Sequence, residues 1–277
     1  MNGKGDKWRG GWNHKYANNF DSIFRRKKVM EKIYIFDVDG TLTPSRQKMT
    51  KEFQKFFSEW AKKNKFYLVT GSDLPKLQEQ MDFMDIEAEG IFTCCGNQFW
   101  RPDPSIVNIS AELIYDNKFK VPKKLKKLLG TILSNSQYPH RFGNHIEDRG
   151  SMVNFSIVGR DCSYEDRLNY FEWDNEKDER KVIANAIKEK FPNLDAVIGG
   201  QISIDIYPKG NDKSQVLDII KQDRLTKSNQ YIFIGDRIEG GGNDYPLAQL
   251  MDKTKNCDWY QTEGWKETQK ILEKLNE

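Results

Sequence analysis

Apolar and polar positions along this chain alternate between a helical and an extended period. Ile33-Tyr34-Ile35-Phe36 is an unbroken apolar run, which predicts a buried strand. Thr50 can cap a following helix, in which Phe53, Phe56, Phe57 and Trp60 recur at helical spacing through about residue 63. Residues 66–70 predict a second strand, Pro75 opens a helix through about residue 84, and residues 91–95 predict a third strand. Strand–helix–strand–helix–strand order demands parallel crossovers. The expected fold is therefore α/β, with a Rossmann-like, doubly wound parallel sheet.

The pattern changes near residues 100–110, where Arg101-Pro102-Asp103-Pro104 reads as a linker-like turn. A Lys-rich helix (123–133), alternating strand positions (151–157), a long charged helix (about 175–191) and short strands at 197–198 and 203–207 follow. The α/β pattern then resumes with a helix at 213–220 and a strand at 230–234, followed by a glycine-rich loop and a C-terminal helix. These shifts predict a core of residues 32–107 and 208–277, an inserted α+β cap at 108–207, and an extension at 1–31. No internal repeat is visible.

Charge narrows the picture. The 277 residues carry a formal net charge of +3. The first 30 hold eight Lys/Arg against two Asp, a net +6, so the remainder is −3. Basicity thus belongs to the extension. Its Arg25-Arg26-Lys27-Lys28 run reads as a solvated lead-in to a strand, and no nucleic-acid partner is expected. No apolar run reaches the roughly 18 residues of a membrane span, and the extension lacks the apolar segment of a secretory signal, so no membrane association is expected. Cys94, Cys95, Cys162 and Cys257 show no metal-binding spacing; free thiols in a cytoplasmic setting are expected. His140 and His145 read as surface residues.

Candidate chemistry begins where the first strand ends, at Asp37-Val38-Asp39-Gly40-Thr41-Leu42-Thr43. Strand periodicity lets Asp37 and Asp39 face one site at the carboxyl edge of the sheet. Gly40 permits a sharp turn, and Thr41 and Thr43 offer hydroxyls and amides to an anion. Carboxylates this close need a cation or a shared proton, and Mg²⁺ suits hard oxygen ligands. Two Asp can also simply end a strand and cap a helix, but the whole run favours a site for Mg²⁺ and phosphate. Three more segments fit beside it. Thr70-Gly71-Ser72 offers a hydroxyl and amides to phosphoryl oxygens. Lys213 can stabilise a phosphoryl group and a carboxylate. Gly235-Asp236 with Gly240-Gly241-Gly242-Asn243-Asp244 brings further oxygen ligands to the same edge.

This order of four segments resembles the haloacid dehalogenase superfamily of phosphotransferases. The resemblance implies Asp37 as nucleophile, becoming an aspartyl-phosphate. It implies Asp39 as general acid/base, with its carbonyl also on Mg²⁺, and Asp236, Asn243 and Asp244 in or behind the metal site. Thr70, Gly71, Ser72 and Lys213 would hold the phosphoryl group.

A narrower match is to the eukaryotic-type phosphomannomutases. It is carried by residues 37–47, Gly71-Ser72-Asp73-Leu74 with Leu77-Gln78-Glu79-Gln80, Ile146-Glu147-Asp148-Arg149, residues 154–163, residues 199–205 and Asn211-Asp212-Lys213. It implies a cap that binds the distal phosphate through Arg149 and Arg160, helped by Arg46 and Arg141, with Ser203 and Asp205 on the sugar or its phosphate. Arginine suits this because its planar fork pairs bidentately with phosphate oxygens. The implied reaction interconverts mannose 6-phosphate and mannose 1-phosphate, with a hexose 1,6-bisphosphate as activator. The implied partners are a small sugar phosphate and a second copy through the cap. Thr70 stands where the mutases usually carry Gly, and Cys95-Gly96-Asn97 where they carry Glu-Asn-Gly. A sugar-phosphate phosphatase and a non-catalytic binding protein on the same scaffold are the rival expectations.

Overall fold

A computed structural model describes residues 30–81, 87–103, 110–223 and 229–276. The basic extension lies outside the described residues up to position 29. Lys32–Glu277 forms one compact unit.

The apolar run becomes β1 (Glu31–Phe36), flanked in chain order by α1 (Lys51–Ala61), β2 (Lys65–Val69), α2 (Leu74–Gln80) and β3 (Gly90–Thr93). Thr50 caps α1, accepting from Phe53 N at 3.3 Å. β1, β2 and β3 pair in parallel. Alternation sorts β1 and β2 onto two faces. Tyr34, Phe36, Phe66 and Leu68 pack with α1 residues Phe53, Phe57 and Trp60. Ile33, Ile35, Tyr67 and Val69 pack with later helices on the opposite face. Helices on both faces make the sheet doubly wound, as expected.

β4 (Gln98–Asp103) pairs antiparallel with β3, and β5 (Ser110–Asp116) pairs antiparallel with β4, extending this sheet. This corrects two readings. Residues 101–103 are strand rather than linker: β3 pairs with β4 only as far as Trp100, so Pro102 lies past the strand its missing N–H would have served. β5, within the stretch read as the inserted cap, lies in the large sheet, and the elements of the second, four-stranded sheet and its helices start after residue 116.

Those elements are α3 (Lys123–Asn135), β6 (Ile146–Asp148), β7 (Val153–Ser156), α4 (Tyr164–Lys177), α5 (Glu179–Lys190), β8 (Leu194–Gly199) and β9 (Ser203–Pro208). The strands form an antiparallel sheet ordered β6-β7-β9-β8. The charged stretch at 175–191 is two helices broken at Asp178, which adopts φ 55°. Val153, Phe155, Ile204 and Ile206 pack against Leu129, Tyr170 and Ile187 of the three helices. Period 2 therefore turns Asn154, Ser156, Ser203 and Asp205 to the other face.

The chain returns through α6 (Gln215–Asp223), β10 (Asn229–Gly235), α7 (Tyr245–Asp252), β11 (Cys257–Gln261) and α8 (Trp265–Leu275). The large sheet runs β11-β10-β1-β2-β3-β4-β5. β1 and β10 are neighbours from which the chain proceeds in opposite directions, so a ligand crevice opens at their carboxyl ends. Among the described residues, no helix is long and apolar enough to cross a membrane. The four cysteines are free, His140 is exposed, and His145 is half-buried with Nδ1 2.9 Å from Ser156 O.

Candidate active site

Asp37 extends β1 by one residue, its amide donating to Ile234 O of β10 at 3.0 Å. Its carboxylate is buried. Lys213 Nζ donates to Asp37 Oδ1 and to Asp244 Oδ1, both at 2.6 Å. Lys213 is completely buried, beneath the crevice rather than on its wall. Burial alone would lower its pKa, but Asp244 and Asp37 outweigh that and hold the ammonium well above its ordinary value. Burial pushes Asp37 up to about 7 despite Lys213, with Asp244 adding to the rise. Burial, then Asp37 and Asp244, raises Asp236 well above the carboxylate range.

These shifts describe a charge imbalance. Oxygens of Asp37, Asp236 and Asp244 lie within 4.8 Å of one another, with Lys213 between Asp37 and Asp244 and Arg237 Nε 3.7 Å from Asp236. The backbone makes room for them: a Cβ at Gly40 would stand 2.4 Å from Asp236 Oδ2, and one at Gly235 would stand 2.6 Å from Asp244 Oδ2. An all-oxygen set with surplus negative charge fits Mg²⁺. Asn243 lines the adjoining pocket. The carboxylate of Asp39 stands outside the trio. It accepts from Arg46 N (2.6 Å) and Gln80 Nε2 (2.8 Å), with Ser72 Oγ at 3.4 Å from its other oxygen. It is held as a separate group beside the buried one.

Thr70 and Ser72 form the neighbouring turn, with Ser72 N donating to Thr70 Oγ1 at 3.0 Å. Above it comes the polar face of the cap sheet. Arg149 Nη1 donates to Gly71 O at 2.5 Å, so a cap arginine touches the core turn directly. Arg149 also holds Glu147, through Nε at 3.0 Å and through Nη2. Arg160 Nη1 donates to Ser203 Oγ at 2.7 Å, while its buried Nε and Nη2 have no hydrogen-bond partner. Burial, then Arg46 and Arg149, pulls the Arg160 pKa down. Asn154 Nδ2 fixes Asp205 at 2.6 Å, with Cys95 Sγ 3.9 Å from its other oxygen.

One cavity of about 490 Å³, its open mouth included, joins these groups. Asp37, Asp39, Arg46, Thr70, Gly71, Ser72, Arg149, Ser203, Asp205, Asp236 and Asn243 line it; Lys213, Asp244 and Arg160 support it from behind. Arg141 does not join them. Its guanidinium is spread over four carbonyls at the end of α3, those of Leu133, Ser136, Tyr138 and His140, and it serves as a C-terminal cap.

Two arginines absent from the sequence-based expectations also line the cavity, Arg167 on the first turn of α4 and Arg237 in the loop after Asp236. Arg167 shares the buried face of α4 with Tyr170 and Asp174, a face that the polar sequence of this helix does not announce.

A parallel-sheet crevice thus gathers the aspartate trio, the Thr-Gly-Ser turn and the buried lysine, the four segments whose order resembles the haloacid dehalogenase superfamily. The family model described as "Eukaryotic phosphomannomutase" matches residues 53–276, a span that begins after Asp37 and Asp39. The phosphomannomutase of Encephalitozoon cuniculi is 37% identical over 229 residues, covering 79% of this chain and 85% of that protein. That of Saccharomyces cerevisiae is 34% identical, covering 81% and 87%. The chain belongs to the eukaryotic phosphomannomutase family. Solved structures share the fold: the IMP-nucleotidase of Plasmodium falciparum, truncated at its N-terminus and bound to IMP, superposes with TM-score 0.56 at 16% identity, covering 95% of this chain and 79% of that one. A Thermoplasma acidophilum protein does so with TM-score 0.55 at 18% identity, covering 89% and 99%.

Proposed function

We propose that this protein is an Mg²⁺-dependent phosphomannomutase that interconverts mannose 6-phosphate and mannose 1-phosphate through a phosphorylated Asp37. The observation that carries this reading is the bipolar cavity, with a carboxylate trio at one end and Arg46, Arg149 and Arg167 toward the other. A hexose with phosphates at both ends would satisfy both.

Priming starts with a hexose 1,6-bisphosphate, its distal phosphate on the arginines. An Asp37 oxygen attacks the near phosphorus, the phosphorus–sugar oxygen bond breaks, and the sugar oxygen takes a proton from Asp39. In the reverse half-reaction Asp39 removes the proton from the 1-hydroxyl of mannose 6-phosphate. That oxygen attacks the phosphorus on Asp37, and the Asp37–phosphorus bond breaks. The bisphosphate turns end for end and re-phosphorylates Asp37, leaving mannose 1-phosphate. Lys213 fixes Asp37 in line, Thr70 and Ser72 face the phosphoryl oxygens, and Ser203 and Asp205 orient the sugar. Mg²⁺, held by Asp37, Asp236 and the Asp39 carbonyl with Asn243 and Asp244 behind, would neutralise the phosphoryl charge. The same reading includes a core–cap division, a homodimer through the cap and a cytoplasmic substrate pool.

The Thr70 hydroxyl in place of glycine favours a second reading, in which water discharges Asp37 and the protein is a sugar-phosphate phosphatase. Product analysis with mannose 1-phosphate, Mg²⁺ and a trace of hexose 1,6-bisphosphate separates them. Mannose 6-phosphate with little inorganic phosphate supports the mutase. Inorganic phosphate without isomerised sugar replaces it with the phosphatase. Neither product, with no phosphate on Asp37, leaves a binding protein.

A further inference from the structure

The loop after Asp236 reaches in two directions. Arg237 N donates to Asp244 Oδ2 at 3.0 Å, tying its main chain to the carboxylate trio. Its guanidinium spans from the carboxylates to the cap: Nε lies 3.7 Å from Asp236 Oδ2, and Nη1 lies 3.3 Å from Glu239 Oε1. Nη2 donates at 3.3 Å to Gly200 O, in the β8–β9 turn of the cap, and the guanidinium carbon lies 5.7 Å from the centroid of Phe171 on α4. Arg180 of α5 reaches the same two groups, at 3.0 Å from Gly200 O and 5.9 Å from the Phe171 centroid. Arg180 is itself fixed by Asp174, its Nε donating to Oδ2 at 2.6 Å and its amide to Oδ1 at 2.8 Å. Alongside, Ile198 N donates to Gly241 O at 3.2 Å. Gly242 must be glycine for the loop to fold this way, since a Cβ there would stand 2.2 Å from Arg237 O.

We infer that Arg237 is a latch: a positioning residue that holds the cap turn 199–201 down on the carboxylate loop and keeps water from phosphorylated Asp37. The inference rests on the mutase reading and deepens it. One residue contacts both Asp244 and Gly200, so cap closure and the geometry of the carboxylates are set together. Arg180 keeps Gly200 and Phe171 engaged when Arg237 is truncated. Truncation therefore loosens docking of the turn without unfolding it. Water exclusion decides whether Asp37 passes its phosphoryl group to sugar or to water.

The test compares the full-length wild type with Arg237→Ala and Arg237→Lys. With mannose 1-phosphate, Mg²⁺ and a trace of hexose 1,6-bisphosphate, the ratio of inorganic phosphate to mannose 6-phosphate should rise about tenfold in Arg237→Ala, the effect of losing one desolvated cation–π contact. Arg237→Lys should recover part of this, because an ammonium can sit on Phe171 but lacks the fork that also reaches Gly200. Amide exchange at Ile198 should quicken in Arg237→Ala without any substrate. An unchanged product ratio overturns the latch. If the wild type forms neither product, the mutase reading fails by itself; unchanged exchange at Ile198 then overturns the latch as a docking contact, and faster exchange upholds it.

Discussion

On the core side of the cleft, Asp37 and Asp244 share Lys213, and Asp236 beside them faces Arg237 Nε at 3.7 Å. On the cap side, Arg149 and Arg160 share one glutamate, with Arg167 close by. Both clusters are buried and under-compensated, in opposite senses. Burial raises the Asp37 and Asp236 carboxyls, and it lowers Arg160 and Arg167. A cation at one end and an anion at the other would favour the charged form of each cluster. They are also built by different rules. Asp37 and Asp236 follow directly on adjacent strands, where one residue of chain decides their place, and Asp244 comes from the N-terminus of α7 after the glycine loop. The cap groups come from alternate positions of one sheet face and from a helix laid against it, where register decides.

The sharpest way to break this comparison is Asp37→Asn. It should lower sugar turnover by at least about 10³-fold, since the amide is no nucleophile. Product formation and the phosphate mass increment on the protein both check it, and turnover within tenfold of wild type would remove Asp37 from its role. Next is the cap. Arg167→Ala should raise KM for the hexose phosphate by about 30-fold or more, the loss of one charge-assisted hydrogen bond, with a smaller change in kcat. Arg141→Ala should leave KM unchanged and lower Tm. The reverse pattern in steady-state kinetics and thermal melts would return the site to Arg141.

A third test uses protons. Burial pushes Asp37 up to about 7 and raises Asp236 as well, and Mg²⁺ binds the carboxylate forms, so protons compete with the metal as pH falls. Mg²⁺ affinity should weaken as pH falls through about 7, with proton release on binding. Calorimetry in two buffers of different ionisation enthalpy reads both; an affinity independent of pH between 5 and 8 would show Asp37 already ionised. The smallest effect is expected from Glu147→Gln. Removing the internal anion from Arg149 and Arg160 should tighten inorganic phosphate binding a few-fold, by about the coupling of one partly exposed ion pair. Weaker binding would mean that Glu147 chiefly orients Arg149.

Most of the acidic wall was legible because its signals are local. An apolar run followed by Asp-x-Asp-Gly, or by Gly-Asp and a glycine loop, states both the strand and the residue that ends it. The helical stripe of Phe53, Phe57 and Trp60 was legible for the same reason. Arg141 and Arg167 are the opposite case. Both sit near polar turns, and nothing adjacent says that one guanidinium caps α3 while the other faces the cavity. β4 was hidden because Pro102 and Asp103 carry turn chemistry, and only pairing with β3 and β5 overrides it. The break at Asp178 is invisible in a run whose charge and helix propensity continue through it.

The sequence by itself determined the class of chemistry: an alternating α/β core, carboxylates at strand ends and a family resemblance that the relatives bear out. Tertiary structure alone decided which residues meet. It placed Lys213 between Asp37 and Asp244, left the Asp39 carboxylate outside that trio, brought Arg167 rather than Arg141 to the cavity, and set Arg237 against Phe171 and Gly200. The physical reason is range. Periodicity over a few residues fixes which face of an element is buried, but a contact between side chains far apart in the chain depends on where two independently formed layers come to rest.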